Sequence, residues 1–202
     1  MAESAEEVYA RVVAQVGEGG RLPMPPVEEW DIFPWEGELV PKVVGPPLDA
    51  EAPRWGEGDK PCHCATQELP DHPIWRNERW VVSTTDGPTG MPLMCFLHPV
   101  EHQDLHELDD EMAGELGQIT VWLHRIMARL TNIGRVHVCK WGDGGSHLHL
   151  WFIARTARLP HILGSMAVEW NEMLPPGPED VWRDDVRRVA AKLASHDGRA
   201  LV

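Results

Sequence analysis

The sequence predicts an α+β fold in which an antiparallel sheet packs against one long helix. Two pairs of short apolar segments are each joined by a glycine-containing turn, which is typical of β-hairpins. Between the two pairs, a long segment repeats apolar residues at helical spacing. The chain has 202 residues, 43% of them hydrophobic, which suffices for one sizeable core. We therefore expect one domain with extensions.

The first predicted element is a short amphipathic helix from Ser4 to Val16, because Ser4 and Glu7 have the spacing of a capping box. The following segment, residues 22–60, is rich in proline and glycine, so we expect no regular structure there. It carries aromatic residues, in which disordered linkers are poor, namely Trp30, Phe33, Trp35 and Trp55. Residues 1–60 are therefore predicted to include an arm that lies over the core or over a partner subunit.

The core is predicted over residues 61–156. It begins with a hairpin whose strands, residues 80–84 and 91–97, are joined by the broad loop 85–90. Residues 108–130 then carry apolar side chains at steps of three, four and seven, which predicts the long helix.

A second hairpin completes the predicted core, with strands at residues 135–141 and 147–154. The C-terminal extension, residues 157–202, is predicted to hold two more helices, at 162–173 and 178–195. A proline- and glycine-containing segment separates these two helices.

The charge balance excludes several classes of partner. The chain has 32 acidic and 18 basic residues, a formal net charge of −14, so it lacks the basic surface that a nucleic-acid polymer or an anionic membrane needs. It shows neither a basic-then-apolar leader nor an apolar run of membrane-spanning length. We predict a cytoplasmic protein whose phosphate-bearing ligand, if it has one, is small.

The most informative segment is residues 144–152, GGSHLHLWF. On an extended strand alternating residues point the same way, so His147, His149 and Trp151 are expected to share one face. Two imidazoles side by side can divide the work: one holds a metal or orients a substrate, and the other, kept neutral, attacks an electrophile such as phosphorus. The alternative is a half-buried strand whose polar face carries histidines without a chemical role.

The turn before these histidines is a candidate phosphate site. Gly144 and Gly145 permit a close approach, and the backbone N–H groups and the Ser146 hydroxyl can donate to charged phosphate oxygens. The alternative is a tight hairpin turn that binds no ligand.

A second candidate site begins at Cys62 and Cys64. They are too close together for an ordinary disulfide framework, and thiolates combined with imidazoles are the ligands that tetrahedral zinc prefers. Two more ligands are needed. Spacing alone does not choose among the candidates, which are His72, His98, His102, His106, His137 and His147.

The order of these features resembles the histidine triad superfamily, over roughly residues 62–155. Its members share three histidines that alternate with apolar residues, and this pattern stands here as HLHLW at 147–151. The resemblance implies that His149, at the middle position, is a nucleophile that takes up a nucleoside monophosphate as a covalent phosphoramidate. It also implies a homodimer.

The resemblance further implies a metal site, with a ligand set similar to that of the galactose-1-phosphate uridylyltransferase branch. Zinc-containing members use two cysteines near the start of the domain, a histidine before the long helix and the first histidine of the motif. The matching residues are Cys62, Cys64, His102 and His147. Four protein ligands make a closed structural site. The family usually spaces its cysteines C-x-x-C, so His63 or His72 in place of one sulfur stays open.

Two further positions follow from the same resemblance. Trp151 stands where the family places a residue that donates a hydrogen bond to the phosphate; an indole N–H can donate, but it cannot supply a proton. The alternative is that Trp151 packs in the core. Thr84 and Asp86 fall in the loop where members bind the nucleotide, and Asp86 is expected at the ribose. The alternative is that Asp86 and Gly87 only form a turn.

The functional expectation is a nucleotide hydrolase that cleaves a nucleoside phosphate anhydride, ester or phosphoramidate through an intermediate on His149. One alternative is a nucleotidyltransferase that passes the nucleotide to a phosphorylated acceptor. The other is a nucleotide-binding protein without turnover, in which Trp151 fills part of the pocket.

Overall fold

The structure, a computed structural model, describes most of the chain. The described residues are 3–17, 20–26, 35–36, 40–41, 50–67, 69–160, 162 and 164–202. Trp30 and Phe33, two aromatic residues of the expected arm, lie outside these ranges. Within the same ranges, no helix has both the length and the apolar character needed to cross a membrane.

The predicted α+β fold with an antiparallel sheet is confirmed. In chain order the strands are β1 (Trp35–Glu36), β2 (Val40–Pro41), β3 (Pro73–Arg76), β4 (Trp80–Thr84), β5 (Leu93–Pro99), β6 (Ile133–Cys139), β7 (Leu150–Thr156) and β8 (Arg199–Ala200). The helices are α1 (Ala5–Val13), α2 (Asp110–Met127), α3 (Ala167–Met173) and α4 (Glu179–Ala194). Strands β3 to β8 form one sheet in the order β6-β7-β5-β4-β3-β8, and every pairing in it is antiparallel.

The main core lies between this sheet and helices α2 and α4. The helices bury apolar side chains at helical spacing, namely Met112, Leu116, Ile119, Leu123 and Met127 from α2 and Val186, Val189, Ala190 and Leu193 from α4. The predicted helix 108–130 is therefore confirmed, with shorter ends. It begins after Asp109, whose carboxylate accepts a hydrogen bond from the Met112 N–H at 2.8 Å and so caps the helix.

Both predicted hairpins are present. Strands β4 and β5 pair from Trp80 opposite Pro99 to Thr84 opposite Cys95, and β6 pairs with β7. Strand β7 also pairs with β5, so the two hairpins join into one sheet. This pairing brings the end of β5 next to the start of β7, where the histidine motif lies.

Strand β7 begins later than predicted, so His147 and His149 precede it instead of lying within it. The last pair between β5 and β7 is Leu97 with Leu150. Beyond this pair, the Leu148 N–H donates to the Gln103 carbonyl at 2.8 Å. The chain that follows β5 thus provides a hydrogen-bond acceptor for the backbone of the histidine motif. The expected alternation still holds, because Leu148 is buried in the main core.

Several short strands were not predicted. Strand β8 pairs with β3 through Trp75 opposite Ala200, and the Trp75 indole N–H donates to the Asp197 carbonyl at 2.8 Å. In the arm, β1 and β2 pair through Trp35 opposite Pro41, so the expectation of no regular structure is wrong for these residues. Strands of two residues carry no periodic pattern that a sequence could reveal.

The N-terminal helix α1 has the predicted capping box. The Ser4 N–H donates to the Glu7 carboxylate at 2.6 Å, and the Glu7 N–H donates to the Ser4 hydroxyl at 3.1 Å. The helix ends at Val13, earlier than expected. At the other end of the chain, α4 and β8 join the core and the sheet. The division at residues 61 and 157, the homodimer and the cytoplasmic location stay predictions.

Candidate functional site

The candidate site lies where three segments of the chain meet. They are the arm around Trp55, the short 3-10 helix His63–Ala65 with its flanking cysteine, and the loop that carries His147 and His149. His98 and Pro99, at the end of β5, also line the site. Sequence separations of up to 91 residues are bridged by the hydrogen bonds between these segments.

Four side chains gather into a cluster that can hold a metal ion. One ligand atom each from Cys62, Cys64, His102 and His147 lies within 4.8 Å of the others. Cys62 Sγ is 3.3 Å from His147 Nδ1, and Cys64 Sγ is 3.6 Å from His102 Nδ1. Tetrahedral zinc sets its sulfur and nitrogen ligands roughly 3.5 Å apart, so these spacings fit zinc.

The alternative ligands are not part of this cluster. Neither His63 nor His72 has a ring nitrogen in the group, and His72 Nε2 instead lies 3.4 Å from the Asp86 carboxylate. The set brought together is thus the one that the family resemblance implied, although the cysteines are spaced C-x-C.

Hydrogen bonds orient both imidazoles for metal binding. His147 Nε2 donates to the Pro99 carbonyl at 2.9 Å, so its Nδ1 keeps a lone pair. The Ser146 hydroxyl donates to the Trp55 carbonyl at 3.2 Å, so it can only accept from His102 Nε2, at 3.3 Å. His102 Nδ1 therefore also keeps its lone pair. Such outer partners fix the ring orientation of metal-binding histidines.

The pKa shifts in the cluster describe how protons compete with a metal for the same ligand atoms. Burial, together with the neighbouring Cys62 thiol, raises the pKa of Cys64 to about 11. Burial lowers the pKa of His147, which favours the neutral imidazole that a metal needs. Two adjacent thiolates without a cation are unfavourable, so a metal that binds here displaces their protons.

His149 belongs to a different part of the site. Its Nδ1 donates to the His147 carbonyl at 2.9 Å, because a carbonyl oxygen can only accept. In the neutral ring, the other nitrogen, Nε2, then carries the lone pair. His149 lines a cavity of about 340 Å³, which lies in the size range of small-ligand pockets.

The cavity brings together only some of the predicted substrate residues. Gly144 and Gly145 line it beside His149. Ser146 is buried behind them, and its N–H donates to the Trp55 carbonyl at 2.9 Å. This N–H is thus already paired, in contrast to the expected free phosphate donor.

Trp151 packs away from the cavity. Its ring contacts Phe96 edge-on at 4.8 Å and Trp141 at 5.4 Å between centroids. The indole N–H is buried and has no hydrogen-bond partner within the described ranges. These contacts favour the core-packing alternative for Trp151 over the expected hydrogen bond to a phosphate.

Thr84 and Asp86 are not brought to His149. They line a separate cavity of about 360 Å³ with His72, and the Thr84 hydroxyl donates to the Met94 carbonyl at 2.8 Å. The reason is the direction of β4. Its first residue, Trp80, pairs with Pro99 next to the histidine loop, whereas Thr84 is at the other end of the strand. In this structure Thr84 and Asp86 therefore line a different cavity from His149.

Two residues that line the cavity were not among the predicted substrate-binding residues. Trp55 lines the cavity from the arm, and its backbone bridges the histidine loop through a bond from its N–H to the Gly144 carbonyl at 3.0 Å. No local pattern marks this role. His98 lines the cavity from β5, although it was predicted from the sequence only as a candidate metal ligand. The sequence did offer one indication of its position: His98 is a polar residue next to buried Leu97 in an alternating strand pattern.

The arm approaches the four candidate metal ligands so closely that only glycine fits at position 56. Gly56 has φ of +96°, and a Cβ atom there would lie 2.5 Å from His102 Cε1 and in contact with the Ser146 hydroxyl. Gly58 has φ of +55° and open space around it. It is a matched control, because an alanine there suffers backbone strain without a clash.

We expect Gly56→Ala to lower the zinc affinity by about 10- to 100-fold, since it displaces His102 from its hydroxyl partner. Gly58→Ala should keep the affinity and lose only about 1 kcal/mol of stability from the left-handed backbone. Zinc competition with a chromophoric chelator and thermal unfolding of both variants measure this. Equal zinc affinity in the two variants would contradict the proposed packing.

Comparison with known proteins gives a consistent result for the fold. No family model matches the sequence, and no curated protein matches it. Among solved structures, a histidine triad protein from Sinorhizobium meliloti is 18% identical, with a TM-score of 0.50 over 64% of this chain and 98% of that chain. A histidine triad protein from Marinobacter aquaeolei is 20% identical, with a TM-score of 0.49 over 61% and 89%.

A zinc-bound histidine triad family protein from Mycobacterium smegmatis is 17% identical, with a TM-score of 0.46 over 66% of this chain and 95% of that chain. At such identities the likeness concerns the fold alone. The six-stranded antiparallel sheet, its long helix and the match to the Sinorhizobium protein together identify the histidine triad fold in this chain.

Proposed function

We propose that this protein is a nucleotide hydrolase that works through a covalent nucleotidyl intermediate on His149. The observation that supports this most is the 2.9 Å hydrogen bond from His149 Nδ1 to the His147 carbonyl. In the neutral ring this bond selects the tautomer that keeps a lone pair on Nε2, and the ring lines the cavity. A neutral imidazole in this state is a competent nucleophile toward phosphorus.

The proposed reaction has two steps. His149 Nε2 attacks the α-phosphorus, a P–N bond forms, and the bond from phosphorus to the leaving group breaks with its electron pair on the leaving group. The imidazole ring is then cationic, and the His147 carbonyl stabilises this charge through the Nδ1–H. Water next attacks the phosphorus, the P–N pair returns to Nε2, and the proton from water is released to solvent.

Backbone donors are available for the phosphate oxygens. The N–H groups of Gly144 and Gly145 have no acceptor in the part of the chain that the structure describes, and both residues line the cavity. Preorganised N–H groups that point at developing negative charge stabilise a transition state strongly. The glycines thus keep the role that the sequence predicted, without Ser146.

We further propose that Cys62, Cys64, His102 and His147 hold a structural zinc ion. Bound zinc would cross-link the cysteine segment, the chain after β5 and the histidine loop, and four protein ligands would leave no position for a reactive water. The proposed nucleophile His149 is two residues from His147, so the same cross-link would also hold the carbonyl that orients it.

A nucleotide-binding protein without turnover is the second candidate. The packing of Trp151 favours it, because the third motif position offers no hydrogen bond to a leaving group in the cavity. A nucleotidyltransferase differs from the hydrolase only in the second step, where a phosphorylated acceptor replaces water.

Intact-mass analysis tests these candidates. The protein is mixed with dinucleoside polyphosphates, nucleoside phosphoramidates and nucleotide sugars, and quenched without acid, since a phosphoramidate is acid-labile. An adduct with the mass of one nucleoside monophosphate, absent from His149→Ala, is expected. Release of this adduct by water alone supports the hydrolase, and release only with an added sugar phosphate supports the transferase. Binding without an adduct or product would overturn the catalytic proposal.

A further inference from the structure

A third histidine lies inside the cavity, outside the sequence motif. His98 on β5 has its ring centroid 6.4 Å from that of His147 and 6.4 Å from that of His149. Its ring is tilted by only 30° to the His149 ring. No role in the proposed chemistry or in the metal cluster has so far been assigned to it.

The sheet register explains why His98 reaches this position. Phe96 pairs with Trp151, and side chains two residues apart on a strand share a face. His98 and His149 therefore stand next to each other on the face that also carries the Phe96 and Trp151 rings. Trp151 turns into that aromatic cluster, whereas His98 faces the cavity.

A buried serine orients the His98 ring. Ser83 Oγ is 2.9 Å from His98 Nε2, and within the described residues it has no other hydrogen-bond partner. If Nε2 carried the proton, the buried Ser83 hydroxyl proton would have no acceptor, which is costly. Ser83 therefore donates to Nε2, and the ring proton is on Nδ1.

The His98 Nδ1–H is free to bind a ligand. It has no protein acceptor in the described part of the chain, and the ring lines the cavity. Because Nε2 accepts from Ser83, the ring carries one proton and is neutral. A neutral imidazole N–H donates a hydrogen bond without carrying charge.

We propose that His98 supplies the hydrogen bond that Trp151 does not: its Nδ1–H donates to the oxygen that bridges the α-phosphorus and the leaving group. This inference rests on the proposed function. It also narrows the substrate class. A donor that gives a hydrogen bond but no proton suits a leaving group that departs as a stable anion, such as a phosphate. The expected substrate is a nucleoside phosphoanhydride, in preference to a phosphoramidate, whose amine must be protonated.

The test uses substrates that share one nucleoside monophosphate and differ in the leaving group. They are a dinucleoside polyphosphate, the phosphoramidate, and the 4-nitrophenyl ester, whose leaving group needs little stabilisation. We expect His98→Leu to lower kcat/KM for the polyphosphate by about 10²-fold and for the nitrophenyl ester by less than about threefold. His98→Gln, which restores a donor, should recover most of the loss.

Ser83→Ala is a second variant, because it keeps His98 but removes the hydroxyl that fixes its tautomer. We expect an intermediate loss with the polyphosphate and none with the nitrophenyl ester, which a merely structural role would not produce. Equal losses on all substrates, or full activity of both His98 variants, would overturn the proposal. If His149→Ala also keeps its activity, the proposed function fails; if His149→Ala is inactive, only the role of His98 fails.

Discussion

Replacing His149 with alanine should lower kcat/KM for the nucleotide substrate by about 10⁴-fold or more, because the variant lacks the atom that forms the covalent bond. The fold should persist. The only hydrogen bond that the His149 side chain makes in the described residues is to the His147 carbonyl, and both residues line the cavity. Steady-state kinetics, the melting temperature and the zinc content of the same samples check this.

A matched control separates the loss of a nucleophile from the loss of any histidine. His196 follows α4 and stacks on Trp122 at 4.8 Å between ring centroids, among residues remote from the cavity. His196→Ala should keep full activity. Added imidazole should restore part of the activity of His149→Ala, since the removed ring leaves space beside the phosphorus. Turnover of His149→Ala at the native rate would refute covalent catalysis by this residue.

Local patterns predicted what depends on neighbours in the chain. The helical spacing of apolar residues placed α2 within two or three residues of its ends, because each turn of a helix buries the same face. The alternation around the motif correctly placed Leu148 in the core and His149 opposite, although the strand itself begins only at Leu150. Period-two alternation survives in any extended backbone, whether or not it is paired in a sheet.

The four candidate metal ligands could not be predicted from local sequence pattern alone. The contacts join residues 85 and 38 positions apart, Cys62 with His147 and Cys64 with His102. Spacing left six histidines as candidates, and only the family resemblance selected His102 and His147. In the structure these four side chains lie together, which spacing alone did not predict.

The substrate contacts depend on tertiary pairing that no local pattern encodes. Thr84 is adjacent to a glycine-containing loop, which favours a ligand site, but the register of β4 carries it away from His149. Conversely, Trp55 reaches the cavity through backbone bonds to a loop about 90 residues away. His98 lies beside His149 only because β5 and β7 pair in the register that places Phe96 opposite Trp151.

Removing zinc should lower the melting temperature by about 10 °C or more. Structural zinc contributes several kcal/mol of folding free energy, and in a chain of this size each kcal/mol shifts the melting temperature by roughly 2–4 °C. Cys62→Ser should have the same effect as a chelator, and the two should not add. Cys139→Ser is the matched control, because Cys139 lies on β6, outside the cluster.

The same stabilisation should depend on pH in one direction. Zinc binds the deprotonated thiols and the neutral imidazoles, so protons compete with it, and the raised pKa of Cys64 strengthens this competition. Zinc-dependent stability should therefore be present at neutral pH and be lost as the pH falls, while Cys62→Ser shows little change over that range. Calorimetry with and without chelator across a pH series measures this difference. A melting temperature that chelator leaves unchanged at neutral pH would exclude a structural metal.

Zinc loss and loss of the nucleophile should differ in their effects on the reaction. His147 contributes both a proposed zinc ligand, Nδ1, and the carbonyl that fixes the His149 tautomer. A metal-free loop that moves would release that hydrogen bond, so the zinc-free protein should lose activity together with stability, and added zinc should restore both. His149→Ala, in contrast, should keep its zinc and its stability and lose activity alone. This pair of results would separate the loss of the metal site, which costs stability and activity together, from the loss of the nucleophile, which costs activity alone.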